Sequence, residues 1–400
     1  MYNRGSNKGS FGGRPFPRSR RPSRSGSRGG RSDGKIDISK LVSKAVKPEN
    51  IEVFVPQYSF RDFPFDEQLQ LNIEKKGYSQ TTPIQDKSIP VILQGRDVVG
   101  IANTGTGKTA AFLLPLIDKV LKDRTQNVLI MVPTRELAVQ IQDEFVGFTR
   151  SLKLYSAVCV GGMSIGNQIR AIRGKPNFII ATPGRLKDLI DRRVLSLDRC
   201  QNVVLDEADR MLDMGFINDI TALLAMMPAE RHSLFFSATV SATVHRLIHR
   251  FLRNPETISV KSRDTSQNVD QDVIRVRFPT KKMDLLQEML TQKDFNKVLI
   301  FGRTKHGVEK ISIMLAAKGF KVASIHGDKT QGHRQRALDM FKRNAIQILV
   351  ATDVAARGLD ISEVSHVINY DMPATYEDYI HRIGRTGRAD KKGKALTFVE

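Results

Sequence analysis

The sequence predicts an α/β protein, with two tandem domains built on parallel sheets and preceded by a disordered basic tail. Three observations predict it. The chain has 400 residues, more than one typical core accommodates. Short apolar runs alternate with amphipathic ones in two successive series, the pattern of parallel strands joined by helices. The first 35 residues contain no Val, Ile or Leu and are dominated by Gly, Ser and Arg.

That opening stretch carries ten Lys or Arg and one acid, Asp33, a net of +9. It has too little apolar surface to offset its chain entropy, so residues 1–35 are predicted to be a disordered tail. Residues 36–57 read as an N-terminal extension. The first series of strands is then "DVVGIA" (97–102), "VLIMV" (128–132), "NFIIAT" (177–182), "NVVLD" (202–206) and "SLFFSAT" (233–239), separated by runs such as "ELAVQIQDEFVGFTR" (136–150). The stretch "KSRDTSQNVDQ" (261–271) is polar and aperiodic and reads as a linker, 262–271. The second series is "DVIRVRF" (272–278), "KVLIF" (297–301), "KVASIH" (321–326), "IQILVAT" (346–352) and "HVINYD" (366–371). The domains are therefore 87–261 and 272–400, expected to face each other across a cleft.

Composition narrows the partners. The net charge is +21; removing the tail's +9 leaves +12, so the folded part is basic in its own right. A polyanion, most commonly nucleic acid, is the expected partner. No apolar run approaches the roughly 20 residues that span a bilayer, and the N-terminus lacks the apolar core of a secretory signal. Cys159 and Cys200 have no metal-ligand spacing and read as buried thiols of a reducing compartment. A cytoplasmic protein with no membrane partner is expected.

Between "DVVGI" and an apolar helical run stands Ala102-Asn103-Thr104-Gly105-Thr106-Gly107-Lys108-Thr109. This is a phosphate-binding loop with Ala102 at the first glycine position. Its glycines let backbone N–H groups wrap a phosphate, Lys108 reaches the outer phosphates and the Thr109 hydroxyl suits Mg²⁺. A second strand should bring an acid to that metal. Val203-Val204-Leu205 ends in Asp206-Glu207-Ala208-Asp209. Asp206 suits the metal and Glu207 a water aimed at the γ-phosphate. Asp209 is expected to contact neighbouring motifs instead.

The motifs "ANTGTGKT", "PTRELA" (133–138), "GG" (161–162), "TPGR" (182–185), "DEAD" (206–209), "SAT" (237–239), "ARGLD" (356–360) and "HRIGRTGR" (381–388) run in that order. Over residues 58–400 the chain resembles the DEAD-box ATP-dependent RNA helicases, in style the bacterial members. The resemblance implies two RecA-like domains, ATP and Mg²⁺ as cofactors, RNA lying across both domains, and closure of the cleft when both are bound.

Residue by residue, the resemblance makes 58–86 an adenine-recognition region. In "GYSQTTPIQ" (77–85), Gln85 would pair with adenine through one donor and one acceptor, and Phe60 would stack on the base. The family usually has proline where Thr81 stands, a departure expected to soften this loop. Thr134, Arg135, Gly161, Gly162, Thr182, Gly184 and Arg185 would contact RNA phosphates and sugars, contacts that carry little sequence information. Ser237 and Thr239 would couple ATP state to unwinding. In the second domain "HGDKTQGHR" supplies Gln331 and Arg334, with Arg334 and Thr352 toward RNA and Asp353 and Asp360 toward the nucleotide. Arg385 and Arg388, read as adjacent turns of a helix, would act as arginine fingers, with His381 linking the site to the first domain.

The implied activity is RNA-stimulated ATP hydrolysis that locally separates short duplexes or remodels ribonucleoprotein. An ATP-gated RNA clamp, a tail-driven annealer and a DNA-acting helicase are the rival readings.

Overall fold

A computed structural model describes residues 37–44, 54–103, 105–260, 269–356, 361, 364–387 and 393–399. The predicted tail, the loop residue Thr104, most of the predicted linker, Asp360 and Arg388 lie outside the described residues.

The first domain begins with α1 (Glu67–Lys75) and α2 (Pro83–Leu93). There follow β1 (Val98–Ile101), α3 (Lys108–Lys122), β2 (Val128–Met131), α4 (Arg135–Phe148), β3 (Ser156–Cys159), α5 (Ile165–Arg173), β4 (Phe178–Ala181) and α6 (Pro183–Asp191). It closes with β5 (Asn202–Leu205), α7 (Ala208–Asp213), α8 (Ile217–Ala225), β6 (His232–Ser237), α9 (Ala242–Phe251) and β7 (Glu256–Ser259). Its seven strands are ordered β3-β4-β2-β5-β6-β1-β7, every pair parallel.

The second domain runs β8 (Val269–Arg275), α10 (Lys282–Leu290), β9 (Val298–Phe301), α11 (Lys305–Ala317), β10 (Val322–Ile325), α12 (Gln331–Lys342) and β11 (Ile348–Ala351). It ends α13 (Asp353–Ala356), β12 (His366–Asn369), α14 (Tyr376–Ile383) and β13 (Gly393–Val399). Its sheet is ordered β10-β11-β9-β12-β13-β8, again all parallel.

The strands read as unbroken apolar runs because both faces of each sheet are covered. Alternate residues go to opposite cores: Ile130, Val204 and Leu234 to one face of the first sheet, and Leu129, Val203 and Phe235 to the other. In the second sheet Val298 and Ile300 face one core, Leu299 and Phe301 the other.

The predicted linker is shortened at its far end, because β8 starts at Val269 and pairs with β13 along its whole length. The N-terminal extension is also partly ordered. Leu41 is fully buried with Val269, Tyr379 and Ile383, and Ser43 bridges Gln271. This segment therefore packs on the second domain. Among the described residues, no helix is long and apolar enough to cross a membrane.

His232, at the start of β6, ties the sheet to the turn before β1. Its Nε2 lies 2.8 Å from the Arg96 carbonyl. Burial, with the Lys119 charge second, pushes its pKa from 6.5 down to about 4. The folded protein thus holds it neutral, whereas the unfolded chain takes up a proton below 6.5. Stability is therefore lost as pH falls from about 6.5 to 4, by up to about 3 kcal/mol for this group. Thermal unfolding across that range should show a steeper loss for the parent chain than for His232→Gln. Equal slopes would remove His232 from the acid response.

Candidate active site and nucleic-acid interface

The phosphate loop forms where the sequence requires it. Gly107 adopts φ +91°, and α3 starts at the next residue. A Cβ on Gly107 would come within 2.4 Å of Gln85 Nε2, so the position demands glycine for space as well as for φ. Lys108 is 6% exposed, and its Nζ donates to the Ala102 carbonyl at 2.8 Å. Thr106 Oγ1 donates to the Asn103 carbonyl. Thr109 is half-buried in the first turn of α3.

Asp206 and Glu207 stand at the end of β5, whose parallel pairing with β2 and β6 places them centrally in the sheet. Both are buried. Burial, only partly offset by the Lys108 charge, raises the Asp206 pKa to about 6. A buried acid whose ionised form is under-compensated suits a hard cation, and with the Thr109 hydroxyl this donor set fits Mg²⁺. Glu207 occupies the left-handed region, φ 53° and ψ 49°. Both its carboxylate oxygens accept from Arg210 Nη1, at 3.1 and 2.9 Å. Arg210 was not foreseen, although its i,i+3 spacing from Glu207 on a short helix was visible.

Asp209 bonds to neighbouring motifs, as expected. Its Oδ2 accepts from the N–H groups of Ala238 and Thr239, at 3.1 and 2.8 Å, and from Thr239 Oγ1 at 3.0 Å. Its own N–H donates to Ser237 Oγ at 3.3 Å, and Ser237 Oγ donates to the Thr239 carbonyl. The acidic turn and the loop after β6 are thus one hydrogen-bonded unit.

In the adenine-recognition region three side chains are tied into the protein itself. Phe60 is 1% exposed and packs edge-on against Phe63 and Tyr78, so its ring is core and offers no face to a base. Gln85 is 2% exposed; Oε1 accepts from the Thr82 N–H at 2.9 Å and Nε2 donates to the Gly107 carbonyl at 3.0 Å. In this structure its amide joins this region to the phosphate loop. Thr81, where the family favours proline, does not soften the loop. Its buried Oγ1 lies 2.6 Å from the Tyr58 carbonyl and 3.0 Å from Asp86 Oδ1.

Of the nine residues expected at RNA, seven line one cleft of about 530 Å³ that spans both domains, and Gly162 and Thr352 do not. From the first domain it is lined by Thr134, Arg135, Gly161, Thr182, Gly184 and Arg185; from the second by Gly327, Arg334, Val354 and Ala355. Thr134 caps α4 by accepting from the Leu137 N–H, and Thr182 precedes α6, with Pro183 at its first position. Arg135 lies over the double glycine: a Cβ on Gly162 (φ +75°) would fall 1.9 Å from its Nη1. Arg185 Nε sits 3.5 Å from Asp188. Thr352 follows β11, with its N–H on the Ile325 carbonyl; the next turn, not Thr352 itself, reaches the cleft.

Arg334 is not simply presented to RNA. Its Nη2 is 2.9 Å from Glu136 Oε1, and both side chains are buried. Gln331 Nε2 donates to the same oxygen at 3.1 Å. Glu136, inside "PTRELA", is therefore a cross-domain acceptor that the sequence reading overlooked.

In the second domain Asp353 is taken up by Arg382, through Nε at 2.5 Å and Nη2 at 2.7 Å. Arg382 Nη1 also donates to Asn369 Oδ1 and the Asp371 carbonyl. Such a bidentate pair fixes the orientation of the Asp353 carboxylate. The arginine-finger geometry also needs correction. The α14 helix ends at Ile383 with Gly384 as its cap, so Arg385 lies beyond the helix, and it is 3% exposed. His381 and Arg385 line a small recess with Asp353 and Arg382.

The DEAD/DEAH box helicase model matches residues 82–247, and the helicase conserved C-terminal domain model matches 281–390. The ATP-dependent RNA helicase CshA of Listeria monocytogenes is 45% identical over 85% of this chain and 66% of its own length. The DEAD-box ATP-dependent RNA helicase CshA of Bacillus subtilis is 45% identical over 85% of this chain and 69% of its own. The chain thus spans about two thirds of each of these relatives. Among solved structures, S. cerevisiae Dbp5 bound to RNA and ADP BeF3 matches with a TM-score of 0.75 at 30% identity, over 86% of this chain and 89% of that one. Two matched domain models, bacterial relatives at this identity and a shared two-domain fold leave one assignment: the chain belongs to the DEAD/DEAH box helicase family.

Proposed function

We propose that the two-domain cleft is an RNA channel whose closure is coupled to ATP hydrolysis beside it. The protein is an ATP-dependent RNA helicase, an RNA-dependent ATPase, as its family and relatives indicate. The observation that supports the coupling is the cleft itself, which joins the first domain's motifs to Arg334 through the Glu136 ion pair.

ATP binds with its phosphates at the backbone N–H groups of the loop and at Lys108, which exchanges the Ala102 carbonyl for a phosphate oxygen. Asp206 and Thr109 would hold Mg²⁺, which supplies charge neutralisation at the phosphates. Glu207 orients the attacking water and accepts its proton. The Asp209–Ser237–Thr239 unit carries the change to the loop after β6. RNA, single-stranded or short duplex, is held by its backbone at Arg135, Arg185 and the helix N-termini, hence without sequence preference. Ribonucleoproteins are the natural targets, and cytoplasmic RNA the natural setting.

Steady-state ATP hydrolysis with Mg²⁺ and RNA, or DNA of the same sequence, tests this. Strong stimulation by RNA alone is expected. Equal rates with and without RNA would overturn the coupling.

A further inference from the structure

The second domain carries a cleft of about 540 Å³ to which none of the helicase motifs contributes. Its floor crosses three neighbouring strands. His366 on β12 lies beside Lys394 on β13, which lies beside Asp270 on β8. Two residues further along, Leu396 lies beside Asp272. Alternate residues of a strand share a face, so both aspartates line the same side. Glu288 of α10 and Asp294 after it bring the lining to four carboxylates against one lysine. That lysine is committed, with Nζ 2.9 Å from Asp294 Oδ2. Leu285 and Met289 add an apolar wall. On a chain of net charge +21, this is a local reversal of sign.

A buried histidine points to a ligand. His366 is 2% exposed and stacks on Phe295 at 3.8 Å. Its Nδ1 is 3.1 Å from Ser365 Oγ. That hydroxyl gives its one proton to the Lys297 carbonyl at 2.8 Å and accepts the Lys297 N–H at 3.1 Å. It can therefore only accept from the ring, which puts the imidazole proton on Nδ1 and leaves Nε2 as a bare acceptor. Burial keeps the ring neutral, with its pKa near 4. Nε2 has no hydrogen-bond partner. The cleft residue Asp294 is 3.8 Å from it and, as a carboxylate, is another acceptor. Nε2 and Asp294 thus both ask for a donor; Lys394 beside them already gives to Asp294, and the rest of the charged lining, Asp270, Asp272 and Glu288, asks for a cation.

We propose that this cleft binds an alkylammonium ion of the polyamine class. One nitrogen donates to His366 Nε2 beside Asp294, another meets Asp270, Asp272 and Glu288, and the methylene chain lies on the apolar wall. The strands β12 and β8 are two spacings apart, about 10 Å, within the span of a linear triamine. A metal ion suits the site less well, because it would leave the apolar wall of Leu285 and Met289 unused. Occupancy links α10 to three strands and so stabilises the second domain by mass action.

Calorimetric titration of the full chain with spermidine, at constant ionic strength and without RNA, tests the proposal. Saturable one-to-one binding is expected, weakened at least about ten-fold in Asp272→Asn/Glu288→Gln and unchanged in the distant Glu67→Gln. Both cleft carboxylates replaced are exposed, and thermal unfolding confirms that the variants fold. As a second readout, spermidine should shift the His366 Nε2 nitrogen resonance. No saturable binding, equal affinity in the double variant, or an unmoved Nε2 resonance would each overturn the site. Binding of a lysine-rich peptide but not of spermidine would overturn it too, in favour of a protein partner.

Discussion

Replacing Glu207 by glutamine is expected to lower RNA-stimulated ATP hydrolysis by about 10²- to 10⁴-fold, the range of a lost general base, while ATP and RNA still bind. The amide has the carboxylate's shape but cannot take a proton from water. The backbone argues that this side chain is placed for chemistry. A non-glycine residue at φ 53° is uncommon and is tolerated where the surroundings over-determine it. Here the surroundings are the end of a central strand and Arg210, which holds both carboxylate oxygens. Replacing Arg210 by alanine separates structure from chemistry. It leaves a carboxylate buried without its ion pair, which costs about 3–5 kcal/mol of stability, so a lower melting temperature accompanies any loss of rate. Glu207→Gln also takes the counter-charge from buried Arg210, but its amide oxygen still accepts from the guanidinium, so its melting temperature should fall less than that of Arg210→Ala. ATPase kinetics paired with nucleotide-binding titrations make the distinction. A Glu207→Gln protein that turns over at the parental rate would place the base elsewhere.

The parts of the site legible in the sequence are those where backbone geometry dictates residue type. Gly107 and Gly162 must be glycine because of φ and because Gln85 and Arg135 pass directly over them. The central strands announced themselves because both faces are buried, which makes each an apolar run. The strand β3 was missed because "SAVC" is short and buries only alternate residues, and β7 because "ETIS" is a sheet edge with one buried residue. Partners across the fold were not legible. Asp353 reads as a free acid at the end of a strand until α14 brings Arg382 to it. Gln85 reads as a recognition amide, and its bond to the phosphate loop is made only by the fold. Phe60 did carry a signal that was passed over: "FRDFPF" is an aromatic cluster, and aromatic clusters pack. The helical placement of Arg385 was wrong for a local reason, since Gly384 stops the helix on which the i,i+3 argument depended.

Glu136 is where the largest effect on coupling is expected. Its Oε1 receives Arg334 at 2.9 Å and Gln331 at 3.1 Å, yet it lies in the first domain and they lie in the second. Only when the domains meet can this carboxylate be both buried and paired. Removing Arg334 leaves Glu136 buried without its ion pair in the closed arrangement alone, while in an open one water solvates it. The cost of about 3–5 kcal/mol for breaking one side of a buried pair therefore falls on closure, not on the folding of either domain. Arg334→Ala should raise the RNA concentration needed for half-maximal ATPase by at least about ten-fold, since each 1.4 kcal/mol is ten-fold. ATP affinity measured without RNA, and the melting temperature, should stay near parental. Glu136→Gln should be milder, because the amide oxygen still accepts from both donors, although the buried Arg334 guanidinium loses its counter-charge. The double replacement Arg334→Ala/Glu136→Gln should recover part of what Arg334→Ala loses, since the stranded charge is gone. That recovery is the decisive reading. If Arg334 served only as an RNA phosphate contact, removing the Glu136 charge would restore nothing, and the two losses would add.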